Sequence, residues 1–271
     1  MKLKLDGVAE TLFITLYIRA KDAMSDKPIL NDKLSLEIME KIDYDFDKFN
    51  SSKGSYFGTL ARIRVMDREA KKFIEEHPNC TVVSVGCGLD TRFERIDNGK
   101  IKWYNLDFPE VIEARKNLLQ PNDRVVDIPK SALDSTWTTE IAKSEEPMLI
   151  ISEGVLMYFS EEEVKQFLEI LTDSFEEFEA QFDFSHTFLL NKGKKHDTVK
   201  HMNAEFRYGI VDGSEILKLN PKLKQTACIN FTDELSTFKL GVFRLALPLL
   251  RKVNNRLCKY VYSNKQEKEM I

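Results

Sequence analysis

The sequence contains few of the residues that build metal sites and disulfide frameworks. It has four cysteines and four histidines in 271 residues, and the cysteines are Cys80, Cys87, Cys228 and Cys258. The cysteines stand too far apart for a paired-cysteine metal knuckle, and the histidines form no His-Glu-x-x-His pair. We therefore expect neither a bound metal nor a disulfide framework.

The charge and apolar patterns exclude two further kinds of partner. Forty Lys and Arg against 44 Asp and Glu give a net charge of −4, so the chain lacks the basic surface that a nucleic-acid partner requires. The longest apolar stretches, 148–159 and 240–250, contain Glu153 and Arg244 and are shorter than the ~20 residues that span a bilayer. We expect no membrane partner. Because the N-terminus lacks the apolar core of a signal peptide, we also expect a cytoplasmic location.

The middle of the sequence alternates short apolar strands with amphipathic helices. Strands are predicted at 81–85, 101–107, 123–128, 148–152 and 181–185. Helices are predicted at 8–23, from the cap Asp32 to 42, at 59–76, after Pro109 and after the cap Ser160. This alternation predicts an α/β fold with a doubly wound, mostly parallel sheet that binds its ligand at the carboxyl ends of the strands.

Two glycines follow the first of these strands. Gly86 and Gly88 allow a tight turn and a close approach of the backbone to a ligand. The dinucleotide fingerprint needs a third glycine where this sequence has Thr91, which argues against a nicotinamide cofactor. Such a glycine pair alone can also be a simple turn.

Polar residues at the ends of the neighbouring strands favour a ligand site. Asp107 ends the second strand, where a carboxylate accepts two hydrogen bonds from a ribose diol. Residues 131–134 follow the third strand, and Glu153 ends the fourth. Each acid alone could be a helix cap or a surface turn, but together they indicate a cationic or sugar-bearing ligand.

Four segments in order along the chain resemble the leucine carboxyl methyltransferase family, and its bacterial, polyketide-modifying branch in particular. They are residues 11–20, 86–92, 106–112 with Arg115, and 152–158. The resemblance implies a class I methyltransferase fold, which is Rossmann-like and has seven strands with the last one antiparallel. It also implies S-adenosyl-L-methionine as cofactor and S-adenosyl-L-homocysteine as product.

The resemblance assigns cofactor contacts to individual positions. Gly86 and Gly88 would pass under the amino acid part of the cofactor, Asp107 would hold the ribose hydroxyls, and Glu153 would face the methionine moiety. The remaining implied contacts are Phe108 beside Asp107, and Ser131, Ala132 and Asp134 near the adenine. Arg19 and Arg62 would reach the cofactor carboxylate, and Arg64 is the alternative to Arg62. For all three arginines, the alternative interpretation is a position on a solvated helix face.

The acceptor side is less defined. A carboxylate acceptor is ionised at pH 7 and needs no general base, whereas a phenol would benefit from one. His186 is the best candidate base and Tyr158 a candidate for orienting the acceptor, although structural roles fit both. Arg207 is a candidate for binding an acceptor carboxylate. The basic segment 192–201 is either a mouth for an anionic acceptor or a solvated loop.

We divide the chain into parts of a single methyltransferase domain. These are an N-terminal helical cover (1–77), a cofactor-binding α/β core (78–186), an acceptor-side insertion (187–225) and C-terminal strands that complete the sheet (226–271), with strands expected at 226–231 and 257–262.

The predicted function is therefore methyl transfer from S-adenosylmethionine to a carboxylate or hydroxyl of a small molecule, which is polyketide-like or another metabolite. Three alternatives remain at this point: a protein C-terminal carboxyl methyltransferase, a module that binds S-adenosylmethionine without turnover, and a nicotinamide oxidoreductase, which the missing glycine disfavours. The sequence leaves the oligomeric state open.

Overall fold

One sheet of seven strands organises the chain. The strands are β1 (Thr81–Val85), β2 (Lys102–Asp107), β3 (Val125–Pro129), β4 (Met148–Ser152), β5 (Glu177–Phe184), β6 (Lys224–Asn230) and β7 (Arg256–Ser263). They lie in the order β3-β2-β1-β4-β5-β7-β6; the first five pair in parallel, and β7 runs antiparallel to both of its neighbours. The computed structural model describes residues 1–3, 5–50, 53–142, 145–190 and 204–264. Its topology confirms the predicted fold class.

Helices flank the sheet. They are α1 (Gly7–Glu10), α2 (Leu12–Ala23), α3 (Lys33–Glu40), α4 (Lys53–Glu76), α5 (Arg92–Ile96), α6 (Pro109–Leu118), α7 (Glu161–Ser174), α8 (Glu215–Leu219), α9 (Phe231–Leu235) and α10 (Leu247–Leu250). Short 3₁₀ turns cover Asp47–Phe49, Ser135–Glu140, Leu156–Tyr158, Thr187–Leu189 and Gly241–Ala246. Among the described residues, no helix is both long enough and apolar enough to cross a bilayer.

The predicted helix starts at Asp32, Pro109 and Ser160 are confirmed by their local geometry. The Asp32 carboxylate accepts a hydrogen bond from the Ser35 amide at 3.2 Å, and Pro109 occupies the first position of α6. At α7, the Ser160 hydroxyl accepts from the Glu163 amide at 3.2 Å, while the Glu163 carboxylate accepts from the Ser160 amide at 2.7 Å. This reciprocal capping satisfies two amides that the helix leaves without intrahelical partners.

The sheet separates two apolar cores. Because successive side chains of a strand point to opposite faces, Val82 packs in one core with α2 and α4, and Val83 in the other with α7. All five residues of β1 are buried. The central strands are therefore covered on both faces, which is why their sequences are almost continuously apolar.

Several boundaries differ from the sequence prediction. Strand β5 begins at Glu177, four residues earlier than predicted, because its N-terminal half alternates acidic and apolar residues along β7, where Glu179 pairs with Lys259 at 3.0 Å. The predicted helix 8–23 is two helices with a break at Thr11, and the helix predicted at 59–76 begins at Lys53. Strands β6 and β7 pair antiparallel, and β7 lies between β5 and β6 in the sheet.

The capping of α7 is open to a direct stability test. Replacing Ser160 by alanine removes the acceptor for the Glu163 amide, so we expect Ser160→Ala to lower the free energy of unfolding by about 1 kcal/mol in urea denaturation. Ser174→Ala, at the exposed far end of the same helix, is the matched control and should leave the stability nearly unchanged. Equal effects of both substitutions would contradict a specific role for the cap.

Candidate functional site

A cavity of about 1080 Å³ lies at the carboxyl ends of β1, β2, β3 and β4. The loops that follow these strands supply one part of its wall, with Gly86, Cys87, Gly88, Asp107, Phe108, Ser131, Ala132, Glu153, Gly154 and Val155. Helices α2 and α4 and the segment between β6 and β7 supply much of the rest. The cavity therefore lies where a doubly wound sheet is expected to bind its ligand.

The turn after β1 requires glycine for steric reasons. Gly86 and Gly88 have φ angles of +64° and +49°, a region that other residues rarely adopt. A Cβ on Gly86 would lie 2.2 Å from Val155 Cγ2. The Arg115 guanidinium donates hydrogen bonds to the carbonyls of Gly88 and Asp90, both at 2.9 Å, and so fixes the conformation of the turn.

Asp107 is oriented by two backbone amides. Its carboxylate accepts from Gly88 N at 2.7 Å and from Phe108 N at 2.8 Å. Burial raises the pKa of Asp107, although these two amides lower it. Each carboxylate oxygen keeps a further lone pair, so Asp107 can still accept from a diol at the cavity wall. Phe108 beside it is exposed and also lines the cavity.

The loop after β3 brings only part of its predicted residues to the cavity. Ser131 and Ala132 line it, and the Trp137 indole donates to the Ala132 carbonyl at 3.2 Å. Asp134 does not belong to the wall; its exposed carboxylate accepts from the amide and hydroxyl of Thr136 and caps the following 3₁₀ turn. An adenine contact from Asp134 therefore has no support in this geometry.

Glu153 lies between two arginines. Arg62 Nε donates to Glu153 Oε1 at 3.0 Å, and Arg92 pairs with the other carboxylate oxygen. Arg92 is itself buried and also contacts Asp67 at 2.6 Å and Asp90 at 2.9 Å. The negative charge at the end of β4 is thus fixed in position by groups from α4 and α5.

Arg19, Arg62 and Arg64, the three candidates for binding the cofactor carboxylate, have different surroundings. Arg62 and Arg19 both line the cavity, whereas Arg64 lies outside its wall and pairs with Glu234 at 3.1 Å. The Arg19 guanidinium is already engaged, because it donates to Asp32 at 2.9 Å, to the Thr91 hydroxyl at 2.8 Å and to the Leu89 carbonyl at 2.8 Å. Arg62 donates to Glu153 through Nε and to Asp183 through Nη1, whereas both terminal nitrogens of Arg19 donate within the described residues. The Nη2 of Arg62 is therefore better placed than Arg19 to bind an additional carboxylate.

Two further acids, Asp90 and Asp183, pair with the arginines of the site, and the sequence does not single them out. Burial raises the pKa of Asp90, but the guanidiniums of Arg92, Arg95 and Arg19 outweigh it and hold that pKa well below its usual value. Asp183, near the end of β5, is fully buried; it accepts from Gly154 N at 2.6 Å and from Arg62 at 3.4 Å. Burial raises the pKa of Asp183 to about 6. The sequence signal for Asp183 is its position between Phe182 and Phe184, as the one acid in the apolar end of a buried strand.

Of the candidate residues on the acceptor side, Tyr158 and Arg207 lie in the cavity wall and His186 does not. Tyr158 lines the cavity, and burial raises the pKa of its hydroxyl. His186 is not part of the wall; its Nδ1 accepts from the Phe188 amide at 3.0 Å, and burial lowers its pKa. Arg207 lines the cavity and pairs with Glu163 at 3.0 Å. The basic segment 192–201 lies outside the described residues.

The far end of the cavity is apolar. Its wall there includes Phe57, Phe206, Phe231, Leu235, Leu240 and Leu247. Phe206 also packs against Tyr158, with ring centroids 5.7 Å apart. The site therefore joins a polar end, built by the strand ends, to an apolar end built by α4, α9 and the segment that follows α9.

The strand order, with the last strand antiparallel between the fifth and sixth, is that of the class I methyltransferase fold. The structure resembles magnesium protoporphyrin IX methyltransferase from Synechocystis PCC 6803, with a TM-score of 0.51 and 12% identity over 80% of this chain and 94% of that one. At this identity the likeness shows the fold alone.

Sequence relatives identify the family. The profile of the leucine carboxyl methyltransferase family matches residues 13–172, well over half of the chain. The tetracenomycin polyketide synthesis O-methyltransferase of Streptomyces glaucescens is 30% identical over 77% of each chain. An S-adenosyl-L-methionine-dependent methyltransferase of Gibberella zeae is 29% identical over 82% of each chain. The chain thus belongs to the leucine carboxyl methyltransferase family and is an S-adenosylmethionine-dependent methyltransferase, as the sequence predicts.

The residues present fit this cofactor. Gly86 and Gly88 line the cavity without side chains, so a ligand can approach their backbone closely. Asp107 has free acceptor capacity for a ribose. The contacts of the individual residues with the cofactor remain predictions.

The role of Asp107 is testable by an isosteric substitution. Asp107→Asn keeps the shape but removes the charge and one accepting oxygen. A hydrogen bond to a charged group contributes about 1.5–3 kcal/mol, so we expect a roughly tenfold to hundredfold weaker affinity for S-adenosylhomocysteine in isothermal titration. Asp134→Asn, outside the cavity wall, is the control and should bind like the wild type. Unchanged binding by Asp107→Asn would remove Asp107 from the site.

The raised pKa of Asp183 predicts a pH dependence of stability. The folded pKa of about 6 lies above the ordinary value of 3.8, so the native state binds more protons than the unfolded state between these values. The contribution of Asp183 to stability therefore falls as the pH rises from about 4 to about 6.

Asp183→Asn removes this titration and keeps an oxygen that accepts from Gly154. We expect the stability of the wild type relative to Asp183→Asn to fall by on the order of 2 kcal/mol across that window. Urea unfolding at several pH values measures this difference, with the exposed Asp173→Asn as control. A difference that is independent of pH would contradict the assignment.

Proposed function

We propose that this protein transfers the methyl group of S-adenosylmethionine to a carboxylate or hydroxyl oxygen of an apolar small molecule. The observation that carries the proposal is the joined cavity, in which the Gly86–Asp107 end meets an apolar end lined by Phe206, Phe231 and Leu247. The relative in Streptomyces glaucescens, a tetracenomycin polyketide synthesis O-methyltransferase, supports transfer to an oxygen of a small molecule.

The cofactor end is assigned to the residues that the strand ends bring together. We assign the amino acid part of the cofactor to Gly86 and Gly88, and its ribose to Asp107. Phe108, Ser131 and Ala132 are assigned to the adenine. Arg62 is assigned to the cofactor carboxylate, and Glu153 to the methionine moiety. When bound, S-adenosylmethionine supplies an activated methyl group on a positively charged sulfur. The chain contributes alignment and exclusion of water, which are the main demands of an in-line displacement.

The wall of the cavity favours an acceptor that is ionised on its own. A carboxylate carries its charge at pH 7 without help from a base. His186 lies outside the wall, and the raised pKa of Tyr158 keeps its hydroxyl protonated, so that Tyr158 can donate a hydrogen bond to an acceptor oxygen. These features favour a carboxylic acid over a phenol. Arg207 at the rim is the candidate for attracting its charge.

The remaining expectations form part of the same proposal. The chain acts as one domain in which the cover (1–77), the core (78–186), the insertion (187–225) and the terminal strands (226–271) build a single site. With a net charge of −4 it has no nucleic-acid partner, and it works in the cytoplasm.

The test begins with cofactor binding and continues with an acceptor panel. Isothermal titration should show micromolar binding of S-adenosylhomocysteine and no binding of NADH. Mass spectrometry should then detect methyl esters of apolar aromatic carboxylic acids, while the matched carboxamides, which lack an ionised oxygen, should remain unmodified.

Each contrary result points to a different function. Methylation of phenols alone would replace the carboxylate by a hydroxyl acceptor. Modification only of a peptide ending in a free leucine carboxylate would establish the protein-directed alternative. Cofactor binding with no product across acids, phenols and peptides would favour a module that binds the cofactor without turnover.

A further inference from the structure

An exposed apolar surface lies beside the mouth of the cavity. It belongs to residues 240–253, between β6 and β7, which we refer to as the cavity-mouth segment. Val242, Leu245 and Leu249 are 80%, 86% and 72% exposed, and Phe243 is 65% exposed. Soluble chains rarely present so many large apolar side chains on one short segment without a partner for them.

The charged side chains of this part of the sequence are all basic. Lys239, Arg244, Arg251 and Lys252 are exposed, and the sequence has no Asp or Glu from 235 to 266, although the whole chain has a net charge of −4. Arg251 pairs with Asp233. Within the described part of the chain, Lys239, Arg244 and Lys252 form no ion pair. The segment thus combines apolar side chains with uncompensated cations.

This combination fits one kind of partner. A two-fold contact with a second copy would place the same cations against each other, which is unfavourable when the same patch meets itself. An anionic lipid surface complements both features, because basic side chains are attracted to its headgroups while apolar side chains enter the boundary with the acyl chains. We propose that the cavity-mouth segment docks this enzyme on anionic lipid bilayers. This proposal departs from the sequence-based expectation of no membrane partner. That expectation rested on the lack of a membrane-spanning stretch, which peripheral docking does not need.

The position of the segment connects docking with the cavity. Phe243, Leu247 and Leu250 of the same segment line the cavity wall. In the docked enzyme, the apolar end of the cavity would therefore face the bilayer, where apolar carboxylic acids accumulate. This route for the acceptor rests on the proposed function, whereas the docking itself does not.

Vesicle sedimentation tests the proposal on the full chain. We expect the wild type to sediment with vesicles of phosphatidylcholine containing roughly a third phosphatidylglycerol, and to bind pure phosphatidylcholine at least about tenfold more weakly. Binding to the anionic vesicles should also weaken in about 1 M salt, which screens surface charges.

Two independent sets of variants separate the apolar and the charged contributions. Leu245→Asp combined with Leu249→Asp should abolish sedimentation, and Arg244→Glu combined with Lys252→Glu should weaken it by roughly tenfold or more. None of these four residues lines the cavity, and all four are exposed, so the fold should be retained, as circular dichroism would show. Val126→Asp, an exposed apolar position on β3 at the opposite edge of the sheet, is the matched control.

The contrary outcomes are distinct. A folded wild type that stays in the supernatant with anionic vesicles overturns the proposal. A dimer in sedimentation velocity that Leu245→Asp with Leu249→Asp dissociates, in a protein that does not bind vesicles, assigns the surface to a second copy. Vesicle binding that persists in a protein unable to methylate any acid would retain the docking and overturn only the proposed acceptor.

Discussion

Buried pairs of arginines and carboxylates hold the N-terminal helices against the carboxyl ends of the strands, and the shape of the cavity depends on these pairs. Arg19 of α2 contacts Asp32 beside α3, Arg95 of α5 contacts Asp67 of α4 at 2.7 Å, and Arg92 joins Asp67 to Glu153 at the end of β4. A buried charge costs several kcal/mol unless a partner compensates it. The helices can therefore dock only where each charge meets its partner, which defines one arrangement of the site.

A steric constraint complements this network. Gly86 passes so close to Val155 that no side chain fits between the turn after β1 and the loop after β4. Gly86 and Gly88 also line the cavity, and neither places a side chain there. The Gly88 amide in turn orients Asp107, so three adjacent strand ends share one rigid geometry. Such rigidity matters for a displacement reaction, in which the protein acts mainly by holding the reacting groups in line.

The two ends of the cavity are built by different principles. The strand ends supply backbone groups and fixed charges, which suit a charged, hydroxyl-rich cofactor. Helix α9 and the cavity-mouth segment supply apolar side chains from outside the sheet, where loops vary without disturbing the core. If that segment rests on a bilayer, the apolar acceptor reaches the site from one side, and the cofactor is held by groups on the other. The same fold could thus keep its cofactor end while changing its acceptor.

The sequence by itself determined the fold class, the strand ends and the family. Strand periodicity, glycines after β1 and caps such as Ser160 are local features, and local features can be read from neighbouring residues. Only the tertiary structure decided which polar residues face the cavity. It placed Arg62 inside and Arg64 outside, turned Asp134 and His186 into caps of short turns, and brought Asp183 to Arg62 across 121 positions of chain. The physical reason is that contacts between residues distant in sequence depend on how α4 and β5 pack against the same strand ends. A short pattern of neighbouring residues does not contain the information about this packing.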